Sequence, residues 1–134
     1  MKFVDTRGRE HSIDVRPSKF QRKEEGEGRG KFQTLVGNML AELYPSDYIL
    51  EEFPCVGEAL HLDFFMPRKK IAIEVQGRQH NQFVEFFHGT ADGFKAQRAR
   101  DLRKAEWCEL NNIRLVKIDV GEKREKILSL ILDE

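Results

Sequence analysis

A chain of 134 residues, 40% of them hydrophobic and 34% charged, is long enough for one folded domain with a substantial core. Its formal net charge is zero, so overall charge gives no pull toward nucleic acid or an acidic membrane. No apolar run approaches membrane-spanning length, no signal peptide is read, and two distant cysteines, Cys55 and Cys108, make no disulfide framework. A cytoplasmic or nucleoid-associated protein, not secreted and not membrane-bound, is the expectation.

In chain order, residues 2–15 read as a small hairpin turning near Arg7-Gly8, with Ile13 and Val15 in its second strand. Residues 16–30 combine Pro17, three glycines and dense mixed charge, which predicts a mobile arm. Phe32, Leu35, Val36, Met39, Leu40 and Leu43 recur at helical spacing over 31–43, and Pro45 ends that helix. A strand near Tyr48–Phe53 precedes two more, Leu60–Met66 and Ile71–Gln76. A helix over Phe94–Leu110 stops at Asn111-Asn112. A strand over 113–119 and a helix over 122–132 follow. This is one domain, 1–134, with an N-terminal hairpin and arm (1–30) and an α/β core (31–134) in the order α-β-β-β-α-β-α.

Charge is unevenly spread. Lys95–Lys104 holds five basic residues and one acid, whereas Glu42–Asp63 holds six acids and no Lys or Arg. More telling is the hairpin at residues 61–80, HLDFFMPRKKIAIEVQGRQH. Alternation puts Leu60, Leu62, Phe64 and Met66 on one face of the first strand and His61, Asp63 and Phe65 on the other. Closing the turn at Arg68-Lys69 pairs Met66 with Ile71, Phe65 with Ala72 and Asp63 with Glu74, with Gln76 further along the same side. Directly opposed like charges destabilise a sheet, and burial adds to the penalty. A shared proton, an inserted arginine or a divalent cation would offset it; Mg²⁺ suits paired carboxylates that leave positions open for water and phosphate.

These residues resemble the active-site hairpin of the PD-(D/E)xK nuclease superfamily, nearest to its very-short-patch-repair-like branch of small phage and mobile-element nucleases. Asp63 stands as the first acid, Glu74-Val75-Gln76 where that family has E-x-K, and Gly77 and His80 follow in the branch's pattern. The resemblance runs from about residue 31 to 120. It implies a restriction-endonuclease-like αβββαβα core, with a mixed sheet flanked by helices. It implies Mg²⁺-dependent endonucleolytic hydrolysis of DNA, with Mn²⁺ substituting, the ion held by Asp63, Glu74 and the Val75 carbonyl. Gln76 departs from the family lysine; Lys104 is the candidate for a migrated one, with Lys69 or Lys70 behind it. Gln33 stands where the first helix often offers a glutamate. His80 would assist catalysis, and Arg98, Arg100, Lys104 and Gln33 would contact DNA, with Asp101 orienting the basic residues. A homodimer would cut both strands. Holliday-junction resolvases and exonucleases share this architecture, and Gln33 with Gln76 keeps open a nucleic-acid-binding module without catalysis.

Other groups have plainer readings. His61 lies on the Asp63 side of its strand, and His88, Phe83, Phe86 and Phe87 fit a core-closing segment. A zinc site from His80, His88, Cys55 or Cys108 lacks paired ligand spacing.

Overall fold

Three runs of apolar residues separated by short turns make an antiparallel meander, and a returning helix adds a fourth, parallel strand. The computed structural model describes residues 1–23, 30–77 and 91–133. Its elements are β1 (Lys2–Val4), β2 (Glu10–Ser12), a 3₁₀ turn (Pro17–Lys19), α1 (Lys31–Leu43), β3 (Leu50–Cys55), β4 (Leu60–Met66), β5 (Ile71–Gln76), α2 (Ala91–Leu110), β6 (Arg114–Asp119) and α3 (Arg124–Leu132). β1 and β2 pair as a separate antiparallel hairpin, and the main sheet has the order β3-β4-β5-β6. Among the described residues the fold is therefore mixed α/β: one four-stranded mixed sheet, one N-terminal hairpin and three α-helices.

Each sheet face has its own core. On one side α2 sets Trp107 and Cys108 against Leu50, Phe53, Phe65 and Ala72, and the hairpin adds Phe3. The Phe3 ring stacks on Trp107 at 5.3 Å, and the indole N–H donates to the Val56 carbonyl at 3.1 Å, so the chain's one tryptophan is buried without an unmet donor. On the other side α1 contributes Val36, Met39 and Leu40, and α3 contributes Ile127 and Ile131, over Phe64, Met66, Ile71, Ile73, Val116 and Ile118.

The helix over 31–43 and the order of elements after the hairpin agree with the sequence. Four details differ. β2 ends at Ser12, although Ile13 still exchanges both backbone hydrogen bonds with Met1, each at 3.0 Å; Val15 lies beyond the strand and packs on the core. Leu35 drops out of the α1 stripe and is half-exposed. The third strand starts at Leu50 and runs through Pro54, leaving Tyr48 exposed. The start of the expected mobile arm is held in place: Phe20 packs edge-on to Phe53 at 5.0 Å, its carbonyl accepts the Glu51 N–H, and the Lys23 N–H donates to the Glu51 carboxylate. Residues 24–29 of that arm lie outside the described residues.

The alternation expected in β4 also breaks. Leu60 and Leu62 pack with Phe65, not with Phe64 and Met66. β3 changes phase at the same level, since Leu50 and Phe53, three apart, share one core. Glu52 causes this. Its φ of 52° puts a left-handed residue inside a strand, which rotates the following side chains to the other face.

The hairpin is fastened at the end of α2. Asn111 accepts the Val4 N–H at 2.8 Å and donates to the carbonyls of Val4 at 2.9 Å and Trp107 at 2.8 Å. One side chain thus substitutes for the neighbour that β1 lacks. Asn111→Ala leaves these buried groups unpaired and is expected to destabilise the chain by about 1–3 kcal/mol, measured by urea unfolding followed through Trp107 fluorescence.

Candidate active site

The β4–β5 register is the one the turn predicts: Met66 faces Ile71, Phe65 faces Ala72 and Phe64 faces Ile73. One step further, Asp63 meets Glu74, and there the ladder gives way to side chains. Glu74 Oε1 accepts the Asp63 N–H at 3.1 Å, and Asp63 Oδ2 accepts the Val75 N–H at 2.7 Å. Each acid occupies an amide of the opposing strand, so the two are locked together rather than left to swing apart. Glu74 Oε2 takes the Lys104 ammonium of α2 at 3.3 Å. Asp63 Oδ1 accepts no hydrogen bond from any described residue, and Asp63 lines a cleft of about 530 Å³.

The opposed acids are thus partly offset by a lysine. Burial is the main force on both carboxyls. It pushes Asp63 up from its ordinary value, against the Val75 N–H and Lys104, which favour the charged form. Glu74, 7% exposed, is pushed up to about 7 by burial first and by the Asp63 charge second, with Lys104 opposing. One ammonium does not cancel this excess of negative charge.

The acidic row is longer than the sequence suggested. Glu51 pairs with Phe64 and Phe53 with Leu62, which sets Glu52 opposite Asp63; on the far side Glu74 pairs with Lys117. Glu52 lines the cleft and is paired with Lys23 at 2.7 Å. Glu51, 3% exposed, turns to the α1 side, where Gln33 Nε2 donates to it at 3.2 Å. Both glutamates raise the Asp63 carboxyl further. Their signal in the sequence is two adjacent acids, Glu51-Glu52, at the start of an otherwise apolar strand.

The structure brings Asp63, Glu74 and Lys104 together and sets Arg100 in the same cleft, beside Gln97 and Asp101. Alternation keeps Gln76, 6% exposed, on the Glu74 side, since Ile71, Ile73 and Val75 all pack on the opposite core. Two expected DNA contacts stand elsewhere. Arg98 is exposed and lies over the Phe94 ring at 5.7 Å, because the cleft-facing stripe is Gln97, Arg100, Asp101 and Lys104. Gln33 is engaged with buried Glu51. Lys69 sits over the Tyr44 ring at 4.6 Å and pairs with Asp47, and Lys70 reaches the Asn111 carbonyl, so neither replaces Lys104. His80, His88, Phe83, Phe86 and Phe87 lie outside the described residues. Cys55 and Cys108 are free buried thiols, and burial pushes Cys108 up to about 12.

Among the described residues no three His, Cys, Asp or Glu side chains converge on one metal position. The expected donor set is smaller, two carboxylates and the Val75 carbonyl. Its hard oxygen ligands, surplus negative charge and open Asp63 Oδ1 fit a cation of the Mg²⁺ type.

No family model matches the chain, and no solved structure matches it. It is similar to three viral proteins. Protein 094L of Frog virus 3 is 39% identical over 66 residues, covering 48% of this chain and 43% of that protein. Uncharacterized protein 307L of Invertebrate iridescent virus 6 is 34% identical over 59 residues, 44% of this chain and 30% of that one. Protein 033L of Invertebrate iridescent virus 3 is 32% identical over 65 residues, 48% and 34%. The matched region spans less than half the length of each relative.

The Glu74 shift has a measurable consequence without metal. Between its ordinary value of 4.5 and about 7 the folded chain holds a proton that the unfolded chain releases. Stability therefore falls as pH rises through that window. Thermal melts in EDTA are expected to show this decline for the wild type and a flatter profile for Glu74→Gln; parallel profiles would remove Glu74 as its source.

Proposed function

We propose that the chain is a metal-dependent endonuclease of restriction-endonuclease-like fold that hydrolyses DNA phosphodiesters at the Asp63–Glu74 end of the cleft. The observation that carries this reading is the interlocked pair. Two buried acids are fixed by each other's backbone, and one free carboxylate oxygen is left at the cleft. The resemblance over residues 31–120 and the α-β-β-β-α-β-α order support it. Asp63, Glu74 and the Val75 carbonyl would hold Mg²⁺, with Mn²⁺ substituting. Such an ion, when bound, polarises a phosphate and lowers the pKa of water.

The remaining work falls to this chain's own groups. Lys104, reaching in from α2, supplies the positive charge that Gln76 does not bring, and so stabilises charge developing on the phosphate. Gln76 orients water or a phosphate oxygen through its carboxamide. Arg100 holds the DNA backbone along the cleft. His80 is proposed to assist proton transfer, and a homodimer would place two such sites for cutting both strands. No described helix is long and apolar enough to cross a membrane.

Lys104 also motivates the rival reading, a nucleic-acid-binding module without catalysis, because its ammonium, 3.3 Å from Glu74 Oε2, partly neutralises that acid. Plasmid nicking separates the two. Wild type is expected to nick supercoiled DNA with Mg²⁺ or Mn²⁺ and to stop in EDTA. Asp63→Asn abolishes nicking, and Lys104→Ala slows it by roughly 10²–10³-fold, the usual loss of one charge-stabilising donor. Equal cleavage by wild type and Asp63→Asn would refute the enzyme.

A further inference from the structure

Beside the acidic cleft lies a second one of about 250 Å³, lined by Thr6, Arg7, Gly57, Glu58, Ala59 and Arg103. Ala59 lines both, so the two clefts adjoin. Arg100, Arg103 and Lys104 stand at i, i+3 and i+4 on α2, which makes them neighbours on one helix surface. We propose that Arg7 and Arg103 form a second phosphate-binding subsite, which grips the DNA backbone beside the point of cleavage. It rests on the nuclease reading above.

Three observations carry it. First, among the described residues neither guanidinium pairs with a carboxylate. The acid in the same cleft, Glu58, is 8% exposed and hydrogen-bonded by the Thr6 hydroxyl. Both arginines are exposed, so their guanidinium donors face the cleft although the chain as a whole is neutral. Second, the backbone at Arg7 is held in place. Asp5 accepts the N–H groups of Arg7 at 2.9 Å and Arg9 at 3.0 Å and binds His11 Nε2 at 2.8 Å. These bonds, His11 foremost, hold the Asp5 carboxyl down to about 2, so it stays charged and keeps the tip shaped. Gly57, at φ 93°, lets the β3–β4 turn close on that tip; a Cβ there would stand 2.6 Å from Asp5 Cβ. Third, Asn111 clamps β1 to the end of the helix that carries Arg103. Hairpin and helix are thus fixed together, so the backbones that carry Arg7 and Arg103 keep a set spacing. The N-terminal hairpin thereby sets one cation across the cleft from α2.

Sequence-blind phosphate contacts are recognised by their salt dependence. The probe is a fluorescein-labelled DNA duplex, titrated with catalytically silent Asp63→Asn protein over a range of NaCl. Adding Arg7→Ala and Arg103→Ala is expected to weaken binding about tenfold and to lower the salt slope by about one to two. In the wild-type background the same pair raises KM for cleavage more than it lowers kcat. Lys126→Ala, on exposed α3 behind the opposite sheet face, leaves the salt slope unchanged. If Asp63→Asn protein binds the duplex but the double arginine variant binds equally well with the same slope, the subsite is overturned and the nuclease reading stands. A loss confined to kcat also overturns it. If the parent neither binds DNA nor, as wild type, nicks it, both readings fall together.

Discussion

Two acids sharing a buried corner is the constraint from which the rest of this chain follows. Asp63 and Glu74 lie on neighbouring strands at the level where the β4–β5 ladder stops, and each carboxylate takes the place of a ladder carbonyl for the other strand's amide. The backbone gains back its hydrogen bonds, but the charges gain no relief. Burial raises both carboxyls, and their mutual repulsion raises Glu74 further. The packing has no need for such an arrangement, since an apolar pair there would extend the core. The reading proposed above takes this corner as a cation site.

The surrounding fold concentrates on that corner. Glu52 breaks the phase of β3, and β4 shifts at the same level, with Leu60 and Leu62 in the α2-side core. α2 then crosses with Trp107 and Cys108 as its anchor, which sends Lys104 toward Glu74 and Arg100 into the cleft. The hairpin closes the same end of the sheet, stacked on Trp107 through Phe3. Packing on both faces therefore delivers cations and acids to one place.

Much of this was legible in the sequence, for identifiable reasons. α1 carries an apolar period near 3.6 and a proline stop, so its bounds followed directly. The β4–β5 register followed from the Pro67–Lys70 turn, and with it the Asp63–Glu74 meeting. The phase break did not, because nothing in Glu52 as a residue announces a left-handed φ inside a strand. Nor did the turn of α2. That helix is polar around most of its circumference, so its apolar stripe is too short to orient the N-terminal half. Steps of three and four back from Trp107 and Cys108 reach Arg98 and Arg103 as readily as Lys104, Asp101, Arg100 and Gln97. Residue numbers alone therefore leave the cleft-facing side undecided, and the packing of α2 on the sheet decides it. Glu51 and Glu52 left only the weaker trace of paired acids in an apolar strand, and Gln33 finds its partner there rather than at a ligand.

The central claim is that the Asp63–Glu74 corner exists to hold a cation. Its most direct test is a crystal of the wild-type chain soaked in Mn²⁺ and measured at the manganese absorption edge. The expected result is an anomalous peak bonded to both the Asp63 and Glu74 carboxylates. A map with no peak there at saturating Mn²⁺, and with the Lys104 ammonium still seated on Glu74, would contradict it.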